Sequence, residues 1–450
     1  MSRKFFGTDG IRGEANVAPM TPETAMRVGM AVAAKFGRDE RIVVGKDTRL
    51  SGYLLESALA SGICAVGADV MFVGPLPTPG IAYITTSLRA SAGVVISASH
   101  NAFCDNGIKL FAGNGYKLPD AVEAEIEALM MGDKVESMRA TGADIGRAVR
   151  VDDAAGRYIT HLKYGFPSRY DLDGLKIVVD CAHGAAYRVA PDVLRELGAE
   201  VIAIGVNPDG VNINDGVGAM HPEVIGAAVK EHNADIGLAL DGDADRLIVC
   251  DEQGQELDGD VLIAMCARDL QQRGRLTGGA VVATVMSNLG LERSLEEVGI
   301  GLVRTPVGDR YVVEAMRAGG YNLGGEQSGH LVFTDMATTG DGMVAALQVL
   351  TIMRRTGSPV SQLARVMTRL PQMLSSVRVA RKAPLDQLPK LSRAIRQAES
   401  DLAGRGRVLV RYSGTEKKLR VMVEGENEDE LQRIMDRLGS IAVEELGTAA

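Results

Sequence analysis

Apolar and polar positions alternate with two periods along most of the chain. Ala25, Val28, Val32, Ala33 and Phe36 recur at helical spacing. Thr21 and Pro22 precede that stripe as N-cap and first helical residue, and Gly37 ends it. A short β-branched run, Arg41–Gly45, follows. The unit of strand, polar loop and helix returns at Lys176–Asp180, with a helical pattern over Tyr187–Gly198, and at Ala280–Val285, with one over Met286–Gly299. Apolar strands alternating with helices predict largely parallel sheets covered on both faces. The expectation is therefore three similar α/β domains with mixed, largely parallel sheets. Near Pro371 the alternation stops. Gln372–Val379, Val408–Tyr412 and Leu419–Val423 read as strands, Leu388–Leu402 as a helix. A last helix carries Leu431, Ile434, Met435, Leu438 and Ile441 on one face. This is the pattern of a smaller C-terminal α+β domain, and the predicted domains span 1–150, 151–250, 251–368 and 369–450.

Composition narrows the functional classes. The chain has 450 residues, 46% hydrophobic and 24% charged, too long for one core. No apolar run approaches the ~18 residues of a membrane span, and the start, MSRKFFGTDG, lacks a secretory apolar stretch. A net charge of -9 argues against nucleic-acid or anionic-membrane partners. It leaves room for a local basic pocket, since screening isolates charges beyond about 8 Å. Cys64, Cys104, Cys181, Cys250 and Cys266 are odd in number and form no CxxC pair. A disulfide framework or structural zinc is not expected, and the reduced cytoplasm is the predicted location. The 53 glycines and absence of tryptophan predict many tight loops.

Four polar loops carry candidate chemistry. Ser97-Ala98-Ser99-His100-Asn101 follows the apolar run Gly93–Ile96. Its serine suits a nucleophile or phosphoryl carrier, or equally a capping turn; no GxSxG elbow surrounds it. Asp241-Gly242-Asp243-Ala244-Asp245-Arg246 follows Ile236–Leu240. Three crowded carboxylates repel unless a hard cation offsets them, and Mg²⁺ fits such a set. An EF-hand is excluded, because its sixth position would be Arg246 and its flanks are strands. Gly324-Gly325-Glu326-Gln327-Ser328-Gly329-His330 sets donors and acceptors between glycines, as a sugar-hydroxyl site or a plain glycine-rich loop would. Arg411-Tyr412-Ser413-Gly414-Thr415-Glu416, with Arg420 beyond it, offers guanidinium forks and hydroxyls to a phosphate, or is a solvated hairpin turn. No phosphate loop of the GxxxxGK[ST] kind, no GxGxxG and no HExxH occurs, so ATP or NAD chemistry has no support.

These four loops, in this order and at domain-sized spacing, resemble the α-D-phosphohexomutase superfamily over essentially the whole chain. The opening FGTDGIRG and the GEQSGH segment are most similar to its bacterial amino-sugar members. The resemblance implies four domains around a central cleft. It implies interconversion of glucosamine 6-phosphate and glucosamine 1-phosphate through a glucosamine 1,6-bisphosphate, on the route to UDP-N-acetylglucosamine and the cell wall. By position in its motif, Ser99 is the expected phosphoserine. Asp241, Asp243 and Asp245, with Ser99, are the expected Mg²⁺ ligands. Lys109 matches the general acid/base, and His100 and Arg246 further catalytic residues. Thr8, Arg12, Thr305, Gly308, Asp309, Glu326, Ser328 and His330 match substrate-binding positions. Arg411, Ser413, Gly414, Thr415 and Arg420 match the site of the non-reacting phosphate. Dimers are common among related mutases, so a homodimer joins the small-molecule sugar phosphate as an expected partner. Ala102 and Lys417 stand where the family usually has proline, so altered rate or mobility is expected at both loops without loss of a reactive group. Two rival readings stay open: a sister mutase acting on glucose or mannose phosphates, and a non-catalytic sugar-phosphate-binding protein on the same scaffold.

Overall fold

A computed structural model describes residues 5–7, 9–413 and 417–447, with backbone alone for Asp133. The chain divides into two compact units. One comprises Met1–Met286 with Gly299–Val366, the other Ser287–Val298 with Met367–Ala450.

The first unit holds three mixed sheets. In the first, strands β1 (Ile11–Glu14), β2 (Arg41–Lys46), β3 (Asp69–Pro75), β4 (Ala92–Ile96), β5 (Asp105–Ala112) and β6 (Ala148–Arg150) lie in the order β1-β5-β4-β2-β3-β6. The second orders β7 (Lys176–Asp180), β8 (Glu200–Ile204), β9 (Ile236–Leu240), β10 (Leu247–Cys250) and β11 (Glu256–Leu257) as β11-β10-β9-β7-β8. The third orders β12 (Ala280–Thr284), β13 (Gly301–Thr305), β14 (Leu323–Gly325) and β15 (Leu331–Phe333) as β13-β12-β14-β15. In each sheet parallel strands meet antiparallel ones: β4 pairs parallel with β2 and antiparallel with β5, β9 with β7 and β10, and β14 with β12 and β15. The apolar runs at β4, β9 and β12 are buried along their whole length, as strands covered on both faces must be.

Helix Pro22–Phe36 forms as its sequence predicts. Thr21 accepts the Thr24 N–H at 3.3 Å, Pro22 takes the first turn, and Ala25, Val28, Val32 and Ala33 are buried. It crosses helix Ser51–Val66 at glycines. A Cβ on Gly62 would lie 2.1 Å from the Met26 carbonyl oxygen, so backbones touch there without side chains between them. Among the described residues no helix is long and apolar enough to cross a membrane.

The second unit is an antiparallel sheet of β16 (Gln372–Arg378), β17 (Gly406–Tyr412) and β18 (Lys418–Gly425) in the order β16-β18-β17. Helices Pro389–Asp401 and Glu428–Leu446 pack on it through Leu391, Ala398, Leu431, Ile434 and Leu438. Helix Leu289–Glu296 belongs to this unit, although its strand, β12, belongs to the first. The sequence predicted it as the third repeat of strand, loop and helix. Tertiary contacts decide otherwise: Asn288 exchanges two 3.0 Å hydrogen bonds with the Leu370 backbone, and Arg293 pairs with Glu426 at 2.8 Å.

Candidate active site

All four chemistry-bearing loops join antiparallel neighbours: β4 to β5, β9 to β10, β14 to β15 and β17 to β18. The first three therefore reverse the chain in a few residues and hold their side chains at a sheet end.

In the first loop Ser99 has φ +52°, a left-handed conformation that non-glycine residues rarely adopt. Its N–H donates to Ser97 Oγ at 2.9 Å. Its buried hydroxyl donates to Asp241 Oδ2 at 2.6 Å, across 142 positions of sequence. The serine and the acidic trio, joined at first only by motif order, are thus one site.

Asp241, Asp243 and Asp245 are all buried, and one carboxylate oxygen from each lies within 4.8 Å of the others. Asp243 Oδ2 accepts from Lys109 Nζ at 2.9 Å and Thr78 Oγ1 at 2.7 Å, while its Oδ1 is buried with no hydrogen-bond partner. Burial and then the charges of Asp245 and Asp243 push the Asp241 carboxyl up to about 8. An all-oxygen donor set, an orphaned buried oxygen and an Asp241 carboxyl whose ionisation its acidic neighbours oppose fit a hard metal ion.

Lys109, on β5, is buried. Burial opposes its charge, but Asp243, Asp9 and Asp245 outweigh that and raise its pKa well above the ordinary lysine value. It is an ammonium here. A cation on the three aspartates would weaken that support and bring its proton nearer to release.

Ionisable groups around it form a closed ring. Lys109 lies 3.6 Å from Asp9, and Asp9 2.5 Å from Lys117. Lys117 lies 2.6 Å from Asp309, and Asp309 3.6 Å from His330. His330 lies 3.5 Å from Asp245, which closes the ring on Lys109 at 3.8 Å. The ring draws on all three sheets' loops. Asp9 also pairs with Arg12, whose Nε is buried without a hydrogen-bond partner. Sequence reasoning missed Asp9, Lys117 and Thr78. Asp9 stands inside the opening motif, whereas Lys117 and Thr78 carry no local signal because their partners are over a hundred residues away.

Two histidines are shifted in opposite directions. Burial, with Arg246 and Arg12 nearby, lowers His100 to about 4. Burial also opposes charge on His330, but Asp245, then Asp309 and Glu326, raise it to about 9. Arg246 donates its backbone N–H to Asp241 Oδ1 at 3.2 Å and holds its Nε 3.8 Å from Asp245.

The third loop rests on the start of helix Gly259–Gln272: the Gly259 N–H donates to Gln327 O at 3.0 Å, and Gln327 Nε2 to Asp258 Oδ2 at 3.3 Å. Glu326 Oε1 accepts the Gly308 N–H at 3.0 Å, which ties this loop to Thr305–Asp309. Thr305 is buried and its hydroxyl donates to Pro306 O at 3.1 Å. Ser328 is exposed.

In the second unit Arg411 and Arg420 are direct cross-strand partners. Burial, then the Arg420 charge, lowers the Arg411 pKa. Like charges placed opposite each other are unfavourable without an anion. Among the described residues neither guanidinium has a carboxylate partner. The Ser413 N–H donates to Lys418 O at 2.9 Å, and Lys382, which sequence reasoning missed, donates to Ser413 O at 2.7 Å. Thr8, Gly414 and Thr415 lie outside the described residues.

This arrangement can be set beside known proteins. Phosphoglucomutase/phosphomannomutase profiles match in order: alpha/beta/alpha domain I at residues 3–136, domain II at 156–254, domain III at 258–370 and the C-terminal domain at 374–439. The phosphoglucosamine mutase of Syntrophotalea carbinolica is 57% identical over 451 residues, 99% of each chain. That of Geobacter metallireducens is 56% identical over 448 residues, again 99% of each. The crystal structure of a phosphoglucomutase/phosphomannomutase family protein from Burkholderia thailandensis superposes with a TM-score of 0.79 at 25% identity, covering 97% of both chains. Four consecutive domain matches and full-length relatives at this identity lead to one conclusion: the chain belongs to the phosphoglucomutase/phosphomannomutase family.

Proposed function

We propose that this chain interconverts glucosamine 6-phosphate and glucosamine 1-phosphate, with Ser99 as the phosphoryl carrier. The observation that carries the reading is the Ser99 hydroxyl 2.6 Å from Asp241 at the edge of a buried aspartate trio. The names of the full-length relatives support the amino sugar as substrate.

Asp241, Asp243 and Asp245 would hold Mg²⁺, which when bound supplies charge stabilisation at the phosphoryl oxygens. The chain's own residues do the rest. A free sugar hydroxyl attacks the phosphorus on Ser99; the new O–P bond forms as the P–Oγ bond breaks. Lys109, an ammonium beside the trio, gives a proton to the leaving Oγ and recovers one from the attacking hydroxyl. The resulting glucosamine 1,6-bisphosphate turns end for end, and its other phosphate returns to Ser99. Glu326, Ser328, His330, Thr305, Gly308 and Asp309 bind the sugar, His100, Arg246, Arg12 and Thr8 complete its surroundings, and Arg411, Ser413, Gly414, Thr415 and Arg420 take the phosphate that is not reacting. The reading assigns these loops to domains 1–150, 151–250, 251–368 and 369–450. Five cysteines, odd in number and without a CxxC pair, support a cytoplasmic location, and size-exclusion chromatography with light scattering tests the expected homodimer.

The primary test is Ser99→Ala. Turnover falls by several orders of magnitude, the fold persists, and the phosphate seen by intact mass on the wild type disappears. Wild-type turnover overturns the reading. Chelation by EDTA abolishes activity and Mg²⁺ restores it; full activity in chelator removes the metal role. Relative kcat/KM on glucosamine, glucose and mannose 6-phosphates decides the sugar.

A further inference from the structure

We propose that Arg49 and Asn214 are positioning residues that lock the Ser99 loop in its left-handed conformation and so aim Oγ at the aspartate trio. This rests on the reading of Ser99 as the carrier.

A serine at φ +52° persists only where its surroundings over-determine it. Here two carbonyls flanking the reactive stretch are held from both sides. The Ser99 carbonyl accepts from Arg49 Nη2 at 3.2 Å and from Asn214 Nδ2 at 2.9 Å. The Asn101 carbonyl accepts from the same two groups, at 3.0 Å in the case of Asn214. One guanidinium nitrogen and one amide nitrogen therefore bracket residues 99 to 101.

Both donors are themselves fixed. Arg49 is fully buried and paired with Asp47, whose Oδ1 also accepts the Arg49 N–H at 2.9 Å. The Asp47 N–H in turn donates to Ile96 O at the end of β4, at 3.1 Å. Asn214 comes from the loop after β8, and its N–H donates to Ala182 O at 2.9 Å. The other end of its amide, Oδ1, is buried with no hydrogen-bond partner, a cost that natural structures rarely leave without reason. Gly242, between the metal-binding aspartates, makes the approach possible. A Cβ there would lie 2.7 Å from Ser99 O and 2.8 Å from Asn214 Nδ2. The clamp thus joins the loop after β4 to the sheet that carries the trio, without touching any reacting atom.

A misplacement of about 1 Å at a reacting centre can cost on the order of a hundredfold in rate. The test is Asn214→Gly, which deletes both amide bonds yet suits the φ of +59° at that position. Arg49→Lys is the second variant, because it keeps the buried charge next to Asp47 but loses the fork. In steady-state assays with glucosamine 6-phosphate, kcat falls about ten- to a hundredfold in N214G while KM stays within twofold. Intact mass still shows Ser99 phosphorylated. R49K shows the same split, and decides alone if N214G fails to fold. A kcat within twofold of wild type, or a rise in KM alone, overturns the clamp. Loss of the Ser99 reading looks different: no protein-bound phosphate in the wild type and full turnover in Ser99→Ala.

Discussion

Arg411 and Arg420 face each other across β17 and β18 with no carboxylate between them among the described residues. An isolated fold gains nothing from that pairing, and directly opposed like charges are destabilising. Arg420→Met should therefore leave stability to urea unchanged or slightly raised, while KM rises. A lost charged hydrogen bond is worth about 1.5–3 kcal/mol, or roughly tenfold to more than a hundredfold in KM. A fall in stability with KM unchanged would show that the pair is structural. The same contrast between motif and environment runs through the site. His100 and His330 were both legible as candidates. Only the neighbours, Arg246 and Arg12 for one and Asp245 and Asp309 for the other, push the first pKa down and the second up.

At the scale of elements, capping and close approach set two further expectations. Asp341 caps helix Gly342–Thr356, accepting the Met343 and Val344 N–H groups at 3.0 Å each and the Tyr158 hydroxyl at 2.7 Å. Burial outweighs these bonds and pushes its carboxyl up to about 6. A carboxyl raised above its unfolded value of about 3.9 adds stability that is full below about pH 4 and is lost as pH rises through 6. Asp341→Asn keeps a capping oxygen but cannot ionise. Its stability relative to wild type should improve by about 2 kcal/mol between pH 4 and pH 7 and then level off, as read by urea unfolding. A difference that stays flat across that range contradicts the assignment. At the crossing of helices Pro22–Phe36 and Ser51–Val66, Gly62→Ala adds about 1 kcal/mol of helix propensity. It also forces a Cβ to 2.1 Å from the Met26 oxygen. Overpacking costs about 1–3 kcal/mol, so the variant should be net destabilised; a higher Tm would mean that the helices move apart freely.

Within the larger unit, the ring of ionisable groups from Lys109 through Asp9, Lys117, Asp309, His330 and Asp245 ties loops of three sheets together. Lys117 is its keystone, because its two carboxylate partners come from the opening motif and from the loop after β13. Lys117→Met leaves both acids in place without their cation. Breaking such a pair costs about 3 kcal/mol, so chemical unfolding should shift by that order, and the paired variant Lys117→Met with Asp309→Asn should recover part of it. No shift in the single variant would mean that solvent already screens the ring.

Elements whose signals are local could be read directly from the order of residues. The cap at Thr21 and Pro22, the buried runs at β4, β9 and β12, and the small α+β unit at the C-terminus all follow from periodicity and turn chemistry within a few residues. The sequence also displayed the serine and the three aspartates, because polar residues crowded at the end of an apolar strand are visible at short range. Tertiary structure alone decided what crosses long stretches of chain. It seats helix Leu289–Glu296 in the second unit, brings Ser99 against Asp241, brackets that serine between Arg49 and Asn214, and closes the ring through Lys117. Hydrophobic period is a property of neighbours in sequence. Charge state, strain and the meeting of loops are properties of neighbours in space, and only folding supplies those.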